Sequence, residues 1–154
     1  MDSDLKHNLT DMSWMEAEKA FKKSRIAILP IGTMHGHGPT PIGIDFTSVQ
    51  MIADEVGKKT GFVIMPVLAY GENDKQKYYP GSIAIGFNTL ALFYEDIFRS
   101  IHRNGINKVL VLNGHGGNRE ALMQAARKVR ELGMVVAIQE WWRLLGMLLP
   151  EFHK

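Results

Sequence analysis

Two glycine-flanked histidine segments lie far apart in the chain: Gly32-Thr33-Met34-His35-Gly36-His37-Gly38-Pro39, with Asp45 soon after it, and Asn113-Gly114-His115-Gly116-Gly117-Asn118. Neutral imidazole and carboxylate together suit a divalent ion such as Zn²⁺, Mn²⁺ or Fe²⁺, the first a ligand of intermediate character and the second a hard one. His35 and His37 are two positions apart, so in an extended segment they project to the same side. Gly36 and Gly38 permit close approach and unusual backbone angles there. The candidate metal ligands are therefore His35, His37, Asp45 and His115, for one or two ions. The alternative is a pair of turns whose imidazoles bond only to backbone. A phosphate cradle fits less well, because neither segment holds the Gly-Lys-Ser/Thr of a P-loop or a Gly-x-Gly-x-x-Gly run.

Other candidates carry two readings each. Glu140, Trp141 and Trp142 follow the last predicted strand, where the carboxylate could act as a general base and the indoles could wall a small polar ligand; the same three could equally be a core edge beside a solvated glutamate. Tyr70, Glu72 and Asp74 fall in the polar, aperiodic stretch 70–80, a long loop of the kind that often carries function, and they share that ambiguity. His102 sits beside Arg103 in the last turn of a predicted helix, where a cation suits the helix dipole. His7 and His153 lie near the ends of the sequence, so these three histidines read as structural or solvated.

These residues need elements to hold them. Apolar patterning and capping residues predict helices over 14–22, 47–59, 88–102 and 118–132, and strands over 25–31, 62–68, 82–85, 108–112 and 134–139. Each histidine loop directly follows a strand, and loops leaving the carboxyl ends of parallel strands line the ligand crevice of an open sheet. The βαβα alternation predicts an α/β fold, a three-layer, mostly parallel sheet with helices on both faces.

With 154 residues, 45% hydrophobic and 22% charged, the chain is expected to form one domain over 1–154 with a substantial core. Its net charge of +2 comes from interspersed signs with no basic, aromatic-laced stripe, so nucleic acid is not an expected partner. The absence of cysteine rules out disulfides, thiolate metal sites and a cysteine nucleophile. No signal-peptide core and no apolar run of about 18 residues is present, so a cytoplasmic protein without membrane contact is expected. The late apolar run Leu144-Leu145-Gly146-Met147-Leu148-Leu149 could dock on another subunit.

Residues 29–45, 66–83 and 109–118 together resemble the creatininase (creatinine amidohydrolase) family. Its pattern is Pro-x-Gly-Ser-x-Glu-Gln-His-Gly-Pro-His-x-Pro-x-x-x-Asp, then Tyr-Gly-x-Ser-x-Glu-His-x-x-Phe-Pro-Gly-Thr, then Asn-Gly-His-Gly-Gly-Asn. The last motif is complete at Asn113 to Asn118. The chain departs from the pattern at His35, where the family has a metal-binding glutamate. It departs again at Lys75 and Gln76, where the family has a Glu-His pair, and the spacing from His37 to Asp45 is one residue shorter. The family's late His-x-Gly-x-x-Glu-Thr-Ser motif is absent from these residues, so the domain is expected to lack the family's C-terminal segment.

The resemblance implies a metal-dependent hydrolase that acts on a small polar cyclic amide or a related carbonyl compound through metal-activated water. The ions would be bridged by Asp45 and held by His37 and His115, with His35 as a further ligand. Glu140 is the candidate catalytic carboxylate, and Tyr70, Asn113 and Trp141 are the candidate substrate-binding residues. Family members are homo-oligomers, which is expected here too. Two alternatives stand beside this reading: hydrolysis of a cyclic keto-sugar, and a non-catalytic family member that serves assembly or metal binding.

Overall fold

The continuous apolar runs at 26–31 and 109–112 have no alternating polar face, which is the pattern of parallel strands covered on both sides. In the computed structural model, which describes residues 6–145, they form the centre of a four-stranded sheet. Strands β1 (Ile26–Ile31), β2 (Val63–Ile64), β3 (Lys108–Asn113) and β4 (Val135–Glu140) are all parallel and lie in the order β2-β1-β3-β4. Among the described residues the helices α1 (Trp14–Ser24), α2 (Ile44–Thr60), α3 (Phe87–Arg103) and α4 (Arg119–Val129) accompany them. The start of the chain, the apolar run beyond Leu145 and His153 lie outside the described residues.

Alternation along the strands divides the core in two. Ala27, Leu29, Ile31, Val109 and Val111 pack with Tyr94 and Phe98 of α3 and with Leu122 and Ala125 of α4. Ile28 and Leu112 face the other way, against Val49 and Ala53 of α2. The expected three layers with helices on both faces are thus present. Among the described residues no helix is long and apolar enough to cross a membrane.

Three elements differ from the sequence reading, each with a local cause. Helix α2 begins at Ile44 rather than 47, so Asp45 stands in its first turn instead of in the preceding loop. A carboxylate there meets the positive end of the helix dipole. The strand expected over 62–68 shortens to Val63–Ile64, because the ladder slips by one residue: the Met65 N–H donates to the Ile28 carbonyl, but the next donor to β1 is Leu68, to Pro30, instead of Val67. Pairing resumes only at Leu68, which bridges Ile31. Residues 82–85 form no strand: Ile83 bridges Met34 and Ala84 bridges Gly71, tying the first histidine loop and the long loop together.

The register brings the functional loops to one edge. Ile31 pairs with Asn113, and Asn113 with Glu140, so three strands end level and release residues 32, 114 and 141 side by side. One fully buried amide then ties the first two of these connections to the long loop. The Oδ1 of Asn118 accepts from the Glu72 amide at 2.9 Å, and its Nδ2 donates to the Gly32 carbonyl at 3.0 Å and, more weakly, to Asn113 Oδ1 at 3.4 Å. Buried backbone groups left without partners cost about 1–3 kcal/mol each. Asn118→Ala should therefore lower stability by about 2 kcal/mol or more, read as a fall in the urea midpoint at unchanged slope. An unchanged midpoint would show that the loops hold their positions without this residue.

Candidate metal centre

Three imidazoles converge on one carboxylate. Asp45 is 7% exposed, and its Oδ2 lies 2.9 Å from His35 Nε2 and 3.0 Å from His115 Nδ1, while Oδ1 lies 3.4 Å from His37 Nε2. The rings of His37 and His115 have centroids 4.3 Å and 4.7 Å from that of His35. Donor atoms of His35, His37 and Asp45 all fall within 4.8 Å of one another. His35 is buried, whereas the His37 side chain is 53% exposed, so the cluster opens to solvent on its His37 side.

The convergence depends on how closely α2 seats on the loops. A Cβ on Gly114 would strike the carbonyl oxygen of Asp45, so only glycine lets the first turn of α2 rest on the third motif. The Asn113 side chain fixes the next residue: its Oδ1 accepts from the His115 amide at 3.2 Å, and its Nδ2 donates to the His115 carbonyl at 2.7 Å. His115 is thereby oriented before any ligand arrives. Burial disfavours the Asp45 carboxylate, but hydrogen bonds from His115 and then His35, with their charge, outweigh it and hold the carboxyl below its ordinary value. Asp45 is therefore ionised through neutral and mildly acidic pH.

The surroundings of His35 test the fit to a metal. Its Nδ1 lies 3.1 Å from the Gly36 carbonyl oxygen and its Nε2 2.9 Å from an Asp45 oxygen, so the ring stands between two acceptors. A neutral ring carries one N–H and can donate to only one of them. A metal ion at Nε2 lets the ring donate from Nδ1 to the Gly36 carbonyl while it and Asp45 share the ion. A ring nitrogen bonded to a backbone carbonyl while the other points into a carboxylate-bearing cluster is the usual arrangement of a metal-ligating histidine. The donor set thus fits a divalent ion.

Around the cluster lies a cleft of about 670 Å³, lined also by Glu72, Lys75, Gln76, Gly117, Trp141 and Trp142. The two indoles stand edge to face, with centroids 6.4 Å apart. Of the other sequence candidates, Glu72, Trp141 and Trp142 line the cleft, while Tyr70, Asp74, Asn113 and Glu140 do not. Tyr70 is half exposed and borders a separate apolar hollow with Ile85 and Phe93. Asn113 is fully buried and serves the loop. Glu140 is 3% exposed, with Oε2 3.1 Å from an Arg119 guanidinium nitrogen and paired also with Arg143, at ion-pair range without hydrogen-bond alignment. Its carboxylate is held by guanidinium groups and does not line the cleft.

The sequence reading passed over Lys75, Gln76, Gly117 and the clamp at Asn118. Lys75 and Gln76 were visible only as departures from a motif. Nothing in the local sequence showed that Asn118 reaches Gly32, 86 positions away.

A family model described as creatinine amidohydrolase matches residues 10–151. Creatinine amidohydrolase of Pseudomonas putida is 27% identical over 146 residues, covering 85% of this chain and 56% of that protein. A mycofactocin precursor peptide peptidase of Mycolicibacterium smegmatis is 30% identical over 115 residues, 70% of this chain and 46% of the relative. A 3-dehydro-scyllo-inosose hydrolase of Thermotoga maritima is 26% identical over 107 residues, 68% of this chain and 34% of the relative. The chain thus spans about half the length, or less, of these curated relatives. A crystal structure of creatininase superposes with a TM-score of 0.81 at 23% identity, over 89% of this chain and 58% of that one. A manganese form of creatininase gives 0.80 at 24%, over 89% and 59%. The matched stretch contains all three glycine-bearing motifs and the sheet that aligns them, and this chain belongs to the creatininase family.

Proposed function

We propose that this chain is a metal-dependent hydrolase of the creatininase type, acting on a small polar cyclic amide or related carbonyl compound. The observation that carries the reading is His35, caught between two acceptors, the Gly36 carbonyl and Asp45, in a way that a cation between Nε2 and the carboxylate resolves. His35, His37, Asp45 and His115 are the proposed ligands. A bound divalent ion supplies Lewis acidity, lowering the pKa of water and polarising a carbonyl. The manganese form among the solved relatives, and relatives named for hydrolysing an amide, a peptide and a keto-cyclitol, support a hydrolytic site without fixing its substrate.

The chain's own groups supply the rest. Asp45 contributes fixed negative charge at the floor of the cleft, and Asn113 keeps the His115 ring in place. Trp141 and Trp142 offer apolar faces that exclude water from one side of a flat ligand, and Lys75 and Gln76 place hydrogen-bond donors on the rim. Glu140 acts as a positioning residue, since its pairing with Arg119 and Arg143 holds the end of β4 from which the indoles project.

Elemental analysis of protein purified without chelator should find at least one equivalent of Zn, Mn or Fe per chain, with Asp45→Asn and His35→Ala each losing most of it. Hydrolysis of cyclic amides should stop on exhaustive chelation and return with metal. Metal-free wild type, or turnover indifferent to chelation, would overturn the proposal; metal without turnover on any cyclic amide or keto-sugar would favour the non-catalytic alternative. Trp141→Ala should raise KM severalfold while leaving metal per chain unchanged. An unaltered KM would remove the indole from the substrate wall.

A further inference from the structure

Apart from the donor cluster, the charged side chains that line the cleft are Glu72 and Lys75, both from the long loop. Lys75 stands where the family pattern has a glutamate, so the charge at that position is reversed. The acids nearest to it in sequence are engaged elsewhere. Asp74 is paired with Lys77 at 2.5 Å. Glu72 Oε1 accepts from the Asp74 amide at 3.1 Å, and its Oε2 is turned to the opposite loop, where a Cβ on Gly117 would lie 2.5 Å from it. Among the described residues the Lys75 ammonium thus fronts the cleft without an ion-pair partner.

The opposite wall is also short of negative charge. Trp142 is followed by Arg143 and the third motif by Arg119, and both guanidinium groups lean on the single carboxylate of Glu140. Two permanent cations share one anion there, so one positive charge is left over beside the indoles. The charge of Asp45 is taken up by its imidazoles, and Glu72 balances only one of the remaining cations. Both walls therefore favour negative charge, and a concave site of one sign concentrates ligands of the other.

We propose that the ligand of this cleft is an anion, a flat cyclic amide bearing a carboxylate that Lys75 binds. The ring lies against Trp141 and Trp142, and the uncharged amide carbonyl is left to face His35, His37 and Asp45. An ammonium gives a carboxylate charge-assisted hydrogen bonds, and the Gln76 amide beside it adds a neutral donor. A neutral ring of the same size fills the same space but leaves the ammonium unpaired, so the charge of the ligand becomes a basis of selection. The inference rests on the proposed function, which makes the ligand a cyclic amide; what it adds is the sign of the ligand's charge and the residue that reads it.

The test is quenching of indole fluorescence, read on mixing the full chain as purified with three matched pairs: 2-pyrrolidone and pyroglutamate, hydantoin and hydantoin-5-acetate, dihydrouracil and dihydroorotate. Wild type should bind at least one of the carboxylates about fivefold or more tighter than its neutral parent. Lys75→Gln should abolish that preference and Lys75→Arg should keep it. Lys128→Gln, an equal loss of charge in the last turn of α4, should leave it unchanged. Equal affinity for anion and parent, no binding of any carboxylate, or a preference that survives Lys75→Gln would overturn the proposal. Metal per chain, measured on the same samples, reports on the donor cluster separately. Metal-free wild type that still prefers the anion through Lys75 would sink the hydrolase reading and uphold the anion site.

Discussion

The whole cleft depends on one buried amide. A parallel sheet can align strand ends, but it does nothing to fix the loops that leave them, and here three such loops must meet within a few ångströms. Asn118 is suited to that task because an amide both donates and accepts. Its oxygen takes the Glu72 N–H from the long loop, and its nitrogen gives to the Gly32 carbonyl after β1. An ionised aspartate, of the same size, could accept from the Glu72 N–H but could not donate to the Gly32 carbonyl. The side chain also touches Asn113, which holds the His115 backbone, so one network runs from the sheet to three of the four connections around the cluster.

Helix α2 follows the first of these connections, and its placement sets the electrostatics. Its first turn lies on Gly114, which delivers Asp45 to the imidazoles at the positive end of a seventeen-residue helix. The carboxylate is almost sealed from water, which would favour its protonated form, yet hydrogen bonds from two rings reverse that balance. A buried anion ringed by nitrogen donors is therefore built into the apo fold. The cost of burying it is offset by the same rings that present lone pairs to an ion, so stability and ligand readiness come from one set of contacts.

Most of the architecture was legible from apolar periodicity, because β1 and β3 are continuous apolar runs and the helices show clear apolar stripes. The misplacements were local. A one-residue slip of the ladder after Met65 broke a strand whose apolar pattern alone ran on to residue 68, and the start of α2 was hidden because Gly43 has no capping side chain. His35, His37, Asp45 and His115 could be named from residue type and glycine context, and the structure brings them to a single carboxylate. The roles of Tyr70, Asn113 and Glu140 were not legible in the same way. A position in a motif does not show whether a side chain turns toward the cleft, inward to brace a loop, or toward a pair of arginines. Asn118 and Gly117 act through partners distant in sequence or through the absence of a side chain, and neither leaves a local signal.

Three carboxylates illustrate how environment assigns a role at one sheet edge. Asp45, Glu72 and Glu140 all lie beside the same level strand ends, and by residue type any of them could hold an ion or move a proton. Asp45 is surrounded by imidazoles, which are donors to a metal as readily as to an anion. Glu140 is surrounded by guanidinium groups, which carry permanent charge and no lone pair for a metal, so its negative charge is spent on holding β4 to the start of α4. Glu72 has one oxygen fixed by its own loop and one directed into the cleft. What separates these three is the partner each loop supplies, and those partners are set by register and by the clamp at Asn118. The chemistry available at this edge is therefore decided by loop positioning as much as by the motif residues themselves.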